Sequence, residues 1–281
     1  MLSRRKFVRL SLAAAAGLVA QRLRAESRRV LGAQLYTVRE DARRDLPSVL
    51  EAIQKIGYRE VETYSDLYRI PPTALRRMVN DHGLILPSGQ FDYDGLDSKI
   101  DYAMALGVEF VICPMLPKGR RDTLDDYKQA ADQFNVWGEK IHQAGMRFGF
   151  HTHNYEFRRF GNTTGFETMM KGCDSRLVCI EMDCYWVAQA GVDPTEMLQQ
   201  YGNRIQLLHL KDRTPGFPTT RVLDASSEHF TEVGAGTIHW AEILAAAEKN
   251  GVKHFFVERD SGDLPALESL RISFRNLQKI R

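Results

Sequence analysis

Eight short runs rich in β-branched and aromatic residues are each followed by an amphipathic stretch of helical period. This alternation limits what the chain can fold into more than any other feature. The predicted strands are Val30–Thr37, Glu60–Tyr64, Leu84–Phe91, Phe110–Met115, Arg147–His153, Val178–Tyr185, Ile205–Lys211 and His254–Arg259. The predicted helices are Leu46–Ile56, Thr73–His82, Leu96–Leu106, Asp122–Ala144, Thr164–Lys171, Pro194–Tyr201, Ile238–Asn250 and Leu264–Ile280. Gly57, Gly83, Gly107, Gly145, Gly202 and Gly251 each follow a helix, where a left-handed cap favours glycine. Strands that read as apolar runs belong in a parallel sheet covered on both faces. Eight such units within about 250 residues predict an α/β chain folded as one (β/α)8 TIM barrel over residues 26–281. A doubly wound open sheet is the alternative. It loses support because the first strand–helix turn lacks GxGxxG and no GxxxxGKS or GxxxxGKT occurs. Arg213–Gly236, the longest irregular stretch, follows the seventh strand and should lie over the barrel mouth as an active-site loop or lid.

The first 25 residues have a different character. Arg4, Arg5 and Lys6 precede Phe7, and Leu10–Ala20 is an alanine-rich apolar run, shorter than the about 20 residues needed to cross a bilayer. A basic start, a short apolar run and small residues near Ala20 and Ala25 make a secretory signal. The paired arginines resemble the twin-arginine type, which exports folded proteins. The expectation is a cleaved export signal at 1–25, a periplasmic destination and no stable membrane anchoring afterwards. An amphipathic N-terminal helix is the alternative.

This segment holds six of the 38 basic residues and no acidic one, so beyond it 32 bases face 36 acids. That balance argues against a nucleic-acid partner, which needs a basic face. With 43% hydrophobic and 10% aromatic residues, the chain can bury a sizeable core. Cys113, Cys173, Cys179 and Cys184 show no CxxC spacing and read as buried thiols, with a pair through Cys173 left open.

In a TIM barrel the chemistry sits at the C-terminal strand ends. The fifth strand ends in His151-Thr152-His153-Asn154-Tyr155-Glu156-Phe157, with both histidines on one face. The sixth ends in Glu181-Met182-Asp183-Cys184-Tyr185-Trp186, the seventh in His209-Leu210-Lys211-Asp212 and the eighth in Glu258-Arg259-Asp260. Singly, such residues are commonly helix caps or packed histidines. On four consecutive strands the acids would repel one another unless a cation or shared protons neutralised them. Oxygen and nitrogen donors without sulfur suit one divalent metal ion: Mn2+, Mg2+, Co2+ or Zn2+.

These segments also carry a resemblance. His151–Phe157 is similar to an HNHxxEF motif, Met182–Trp186 to MDxYW, His209–Asp212 to HLKD and Val233–Trp240 to VGxGxIDW. Over roughly residues 31–277 the chain resembles the sugar phosphate isomerase/epimerase family, the xylose isomerase-like barrels that include endonuclease IV. Thr152 and His239 depart from the family's usual Asn and Asp. The resemblance implies a metal held by Asp183, His209, Glu258 and a fifth-strand glutamate. In ketose 3-epimerases of the family that glutamate falls near Phe150, so the ligand is assigned here to Glu156. If Glu156 instead contacts substrate, His151 or His153 becomes the fourth ligand.

A divalent ion on adjacent hydroxyl and carbonyl oxygens of a sugar stabilises an enediolate. Glu156 and Glu258 are then candidates to remove and return a carbon-bound proton. The expected activity is a metal-dependent sugar isomerase or epimerase. A lyase or hydratase acting on 3-keto-glycosides is the close rival, because the same intermediate can expel a β-leaving group. His153 and Lys211 would supply acid or base, unless Lys211 only pairs with Asp212. Trp186 is a wall against a sugar face or rim packing, and His151, Gln34, Tyr36 and Gln90 are expected substrate contacts. Glu62 and Glu181 are buried partners or further site acids. An exported sugar-binding module is the non-enzymatic alternative. In every reading the partner is a small sugar or keto-glycoside, and the outer helices leave room for a homo-oligomer.

Overall fold

A computed structural model of the chain describes residues 29–280, so the export signal expected at 1–25 lies outside the described residues. From Leu31 onward the apolar runs pair, all in parallel, into a closed eight-stranded barrel. Its strands are β1 (Gly32–Gln34), β2 (Glu60–Thr63), β3 (Ile85–Gln90), β4 (Phe110–Cys113), β5 (Arg147–His151), β6 (Val178–Asp183), β7 (Ile205–Leu210) and β8 (His254–Val257). They follow one another around the barrel in chain order, and β8 closes on β1. The open-sheet alternative is thereby excluded.

Strand periodicity decides what lies inside. Phe148, Phe150, Val178, Ile180, Met182, Leu208 and Leu210 join the helices in the main core, whereas Phe110, Ile112, Cys179, Leu207 and Phe256 form a separate apolar cluster. This second cluster is the plug of the barrel, the layered filling such sheets require. Packing there is tight: a Cβ on Gly149 would stand 2.7 Å from Ile112 Cδ1 and 2.8 Å from Cys179 Sγ. Along the same faces the chain then turns polar. Cys179 is followed at two-residue steps by Glu181 and Asp183, Leu207 by His209 and Lys211, and Phe256 by Glu258 and Asp260.

Helices α1 (Arg39–Ile56), α2 (Pro72–Asp81), α3 (Ile100–Leu106), α4 (Leu124–Gln143), α5 (Gly165–Gly172), α7 (Pro194–Tyr201), α8 (Trp240–Lys249) and α9 (Ala266–Leu277) cover the outside, whereas α6 (Cys184–Gln189) is buried at the mouth and carries Trp186 to the cavity wall. Thr123 with Asp126, and Thr164 with Glu167, form the capping boxes that start α4 and α5. Most boundaries differ by a few residues from the sequence reading, and three of the shifts have a visible cause. The first strand stops at Gln34, whose side chain accepts the Tyr36 N–H and starts a short 3-10 turn. The sixth stops at Asp183 rather than Tyr185, because Asp183 Oδ1 accepts the Trp186 N–H at 3.0 Å and caps α6. Helix α1 begins before Leu46 and kinks at Asp45, whose carboxylate caps the Ser48 N–H at 3.1 Å. All four cysteines are free and buried, so no pair forms through Cys173. Among the described residues no helix is long and apolar enough to cross a membrane.

Candidate active site

The C-terminal mouth of the barrel opens into a cavity of about 490 Å³, within the usual size range of small-molecule sites. Tyr36, Gln90, His151, His153, Trp186 and Lys211 line it, together with Glu258 and Asp260. The segment after β7 reaches over it, contributing Leu223 and Glu228 as a lid would. Side chains at the ends of β5 and β6 hold that segment. Asn154 Nδ2 donates to the Thr220 and Val222 carbonyls at 3.0 and 2.9 Å. The Tyr185 hydroxyl donates to the Ser227 carbonyl and accepts the His229 N–H at 2.7 Å.

Beneath the cavity the polar ends of β2, β5, β6, β7 and β8 converge. His209 Nδ1 lies 2.8 Å from Glu258 Oε2, and its Nε2 lies 2.7 Å from Glu62 Oε2 and 3.3 Å from Glu181 Oε2. His151 Nδ1 is 2.9 Å from Glu181 Oε2, which leaves Nε2 3.7 Å from Asp183 Oδ2. Lys211, only 1% exposed, places Nζ 2.7 Å from Glu258, 3.0 Å from Asp260 and 3.1 Å from Asp183. Its partners are therefore these three acids and not Asp212. Asp212 serves the backbone instead: it accepts the N–H groups of Gly234, Gly236 and Ile238 and the Trp240 indole N–H. A Cβ on Gly236 would meet Asp212 Oδ1 at 2.2 Å, so the glycine of this turn is a packing requirement.

Burial and mutual charge shift these groups in opposite senses. Burial would raise Glu258, yet Lys211 and His209 outweigh it and hold the carboxylate well below its ordinary pKa. Burial would depress Lys211, yet Asp183, Asp260 and Glu258 keep it firmly charged. His209 behaves likewise under Glu181, Glu258 and Glu62. Glu62 is pushed up to about 7 by burial and then by Glu181, and Asp260 to about 7 by burial and then by Glu258, with Lys211 opposing. His151 falls to about 3 through burial and the nearby His209. Its imidazole is neutral and ready to bind a metal, whereas His209 would have to give up a ring proton on binding one.

Among the described residues two groups of ligand-type atoms lie within 4.8 Å of one another: His151 with Glu181 and His209, and Asp183 with His209 and Glu258. The second group fits a divalent ion. Asp183 Oδ2 is buried and accepts no well-directed hydrogen bond, although Lys211 Nζ is near it. The spare nitrogen of each histidine is held by another carboxylate, Glu181 for His151 and Glu62 for His209. Such outer partners orient imidazoles toward metals. Glu181, in turn, accepts from Gln90 Nε2 at 3.1 Å, and Glu62 from Gln34 Nε2 at 2.6 Å.

The expected site residues therefore divide. Asp183, His209 and Glu258 come together, and His151, His153, Trp186, Tyr36, Gln90 and Lys211 line the cavity above them. Gln34 is fully buried and belongs to the support of Glu62, not to the cavity wall. Glu156 is in neither ligand-type group. It lies on the 3-10 turn Tyr155–Phe157, fully buried, with Oε2 accepting the His153 N–H at 2.9 Å. Burial pushes its pKa up to about 8. Thr152, at a family asparagine position, accepts the Asp183 N–H at 3.0 Å. His239, at a family aspartate position, is exposed and makes no side-chain cap for α8. Asp260, at the strand end expected on the rim, and Glu228, within the stretch expected over the mouth, join the cavity although neither was singled out as a site residue. The two-residue step from Glu258 signals the first, while nothing local signals the second.

Fold and rim together define a TIM barrel whose strand ends carry a ligand-type cluster under a lidded cavity. Residues 50–280 match the xylose isomerase-like TIM barrel family, and the chain belongs to that family. It is 24% identical over 150 residues to inosose dehydratase of Clostridium beijerinckii, covering 51% of this chain and 49% of that protein. The chain thus matches about half the length of this curated relative. A sugar phosphate isomerase/epimerase structure from Parabacteroides distasonis superposes with a TM-score of 0.75 at 25% identity, over 88% of this chain and 93% of that one. The IolI protein, whose structure holds a zinc atom, shares the fold with a TM-score of 0.70 at 16% identity, over 89% and 97% of the two chains.

Proposed function

We propose that the protein is an enzyme that removes a proton beside the carbonyl of a polyhydroxylated small molecule, the step shared by isomerisation and epimerisation. The observation that carries this reading is the convergence of Asp183, His209 and Glu258 within 4.8 Å beneath a cavity lined by acid–base groups. The zinc of the IolI relative supports a divalent ion here, held by these three residues with His151. When bound, the ion would supply Lewis-acid stabilisation of the charge that develops on substrate oxygens.

The chain's own residues do the rest. Glu258 stays ionised and reaches the cavity, so it can take the carbon-bound proton. Lys211 stays protonated 3.0 Å from Asp260 and can donate to a substrate oxygen, with Asp260 able to return the proton. His153, just beyond β5, faces the same cavity and offers a further acid–base group. A dehydratase is the second reading. It is favoured by the Lys211–Asp260 pair, which can protonate a departing hydroxyl, and by the dehydratase relative. Export by the segment at 1–25 and action on a small sugar or keto-glycoside in the periplasm belong to the same proposal.

The test is proton NMR in D2O with added Mn2+ and a panel of ketoses, aldoses, cyclitol ketones and keto-glycosides. Metal-dependent exchange beside the carbonyl is expected and should vanish in Asp183→Asn. The product then separates epimer from dehydration product. Tight sugar binding with no exchange by any carbonyl compound would overturn the enzyme reading in favour of a binding module.

A further inference from the structure

The cavity wall holds five acidic side chains, Asp66, Asp92, Glu228, Glu258 and Asp260, against two permanent cations, Arg39 and Lys211. Both cations are already engaged within the wall. Lys211 is enclosed by Asp183 beneath and by Glu258 and Asp260 on the cavity wall, so a phosphate nearing its ammonium also meets those two wall carboxylates. Arg39 donates to the Tyr36 carbonyl at 2.9 Å and lies 4.2 Å above the Tyr36 ring. Asp66 pairs with Arg43 at 2.7 Å, but Asp92 and Glu228 have no ion-pair partner among the described residues. The wall also contains polar groups suited to hydroxyls. Trp186 Nε1 and His153 Nδ1 are buried without a hydrogen-bond partner, and Gln90 lines the same cavity.

The backbone on both sides of Glu228 is held, and its exposed side chain reaches the cavity. The Tyr185 hydroxyl bonds to the backbone of both residues that flank it, Ser227 and His229. Asn154 and Gln189 pin the same segment further upstream, at Thr220, Val222 and Pro218. A carboxylate whose backbone is anchored at the mouth imposes on every anionic ligand a repulsion cost that a neutral polyol escapes.

We propose that this site takes uncharged polyhydroxy carbonyl compounds and turns away their phosphate esters, and that Glu228, clamped over the mouth by Tyr185, imposes the choice. The inference rests on reading the cavity as a carbonyl-polyol site and deepens it by naming the substrate class. Discrimination of this kind sits in binding and is readable without turnover.

The experiment is calorimetric titration of the Mn2+-loaded protein with matched pairs: a ketose, an aldose and a cyclitol ketone, each against its monophosphate. The neutral member should bind at least about tenfold more tightly, as expected when like charges are brought together. Glu228→Gln should shrink that ratio at least about threefold by improving the phosphate, and Tyr185→Phe should move it in the same direction. Phosphates that bind the wild type as well as their neutral partners would overturn the selection, and loss of that binding in Arg39→Ala would make Arg39 an anion anchor instead. An unchanged ratio in Glu228→Gln would remove Glu228 from the role. Proton exchange without discrimination would sink the selection alone; no binding by any member would sink the underlying reading with it.

Discussion

Two residues of strand separate the apolar plug of the barrel from its charged rim. Phe110, Ile112, Cys179, Leu207 and Phe256 fill the lower layer by volume, whereas Glu181, Asp183, His209, Lys211 and Glu258 fill the upper one by charge pairing. Both layers are buried, so burial alone does not tell a stabilising residue from a functional one. The plug gains by transfer out of water and by close packing. The rim loses on desolvation and is tolerated only because each acid faces a cation or a hydrogen-bond donor. The same closed sheet therefore holds one layer that stabilises the fold and one that the fold must stabilise.

The contrast breaks first at the plug. Phe256→Ala leaves a void against Gly32 and the neighbouring strands and should destabilise the protein by about 3–5 kcal/mol in urea unfolding, the usual cost of emptying a packed site. Mn2+ affinity measured below the unfolding transition should barely change. A large fall in affinity at constant stability would mean that the two layers are not separable.

Glu156 provides the next test, because it is a buried acid outside the charge-paired set. Its folded pKa is about 8, above the ordinary carboxyl value, so its contribution favours the native state below about pH 4.5 and is lost as pH rises toward 8. Glu156→Gln keeps the acceptor for the His153 N–H and removes that titration. The stabilities of variant and wild type, followed by melting temperature, should therefore diverge between pH 5 and 9 in favour of the variant, by about 4 kcal/mol at most. Parallel melting curves would show that Glu156 is ionised in the folded protein and would return it to the list of metal ligands.

The smallest effect sharpens the contrast from the rim side. Glu62→Gln removes one of several crowded carboxylates while keeping its size, so thermal stability should hold or rise slightly. The His209 imidazole loses its orienting partner, and Mn2+ affinity should fall about 10–100-fold by calorimetry. Stability lost without a change in affinity would make Glu62 part of the scaffold.

Much of this arrangement was legible in the strand ends because a strand alternates. Counting by two from Leu207 and Phe256 places His209, Lys211, Glu258 and Asp260 on the interior face, and the same count turns Asp212 away from it. That count was available for Lys211, whose pairing the structure gives to the rim acids, and for Asp260. It fails where a strand stops. Glu156 lies three residues after His153 on a turn, and its direction depends on a backbone bend that no spacing reports. Gln34 ends its strand as a cavity residue should, yet Glu62 draws it down into the interior. Glu228 carries no local signal at all, since its place over the mouth follows from Tyr185 and Asn154 holding a loop that could otherwise take many paths.

What the sequence determined by itself was the barrel and the composition of its rim. Periodic burial is a property of neighbours along the chain, and eight apolar strands, each followed by an amphipathic helix, leave few ways to hide their faces. What only the tertiary structure decided was which polar atoms meet. Glu62 and His209 stand 147 residues apart, and a closed sheet brings them to 2.7 Å. That distance is set by the register and tilt of strands on different parts of the barrel, which local preferences along the chain do not encode.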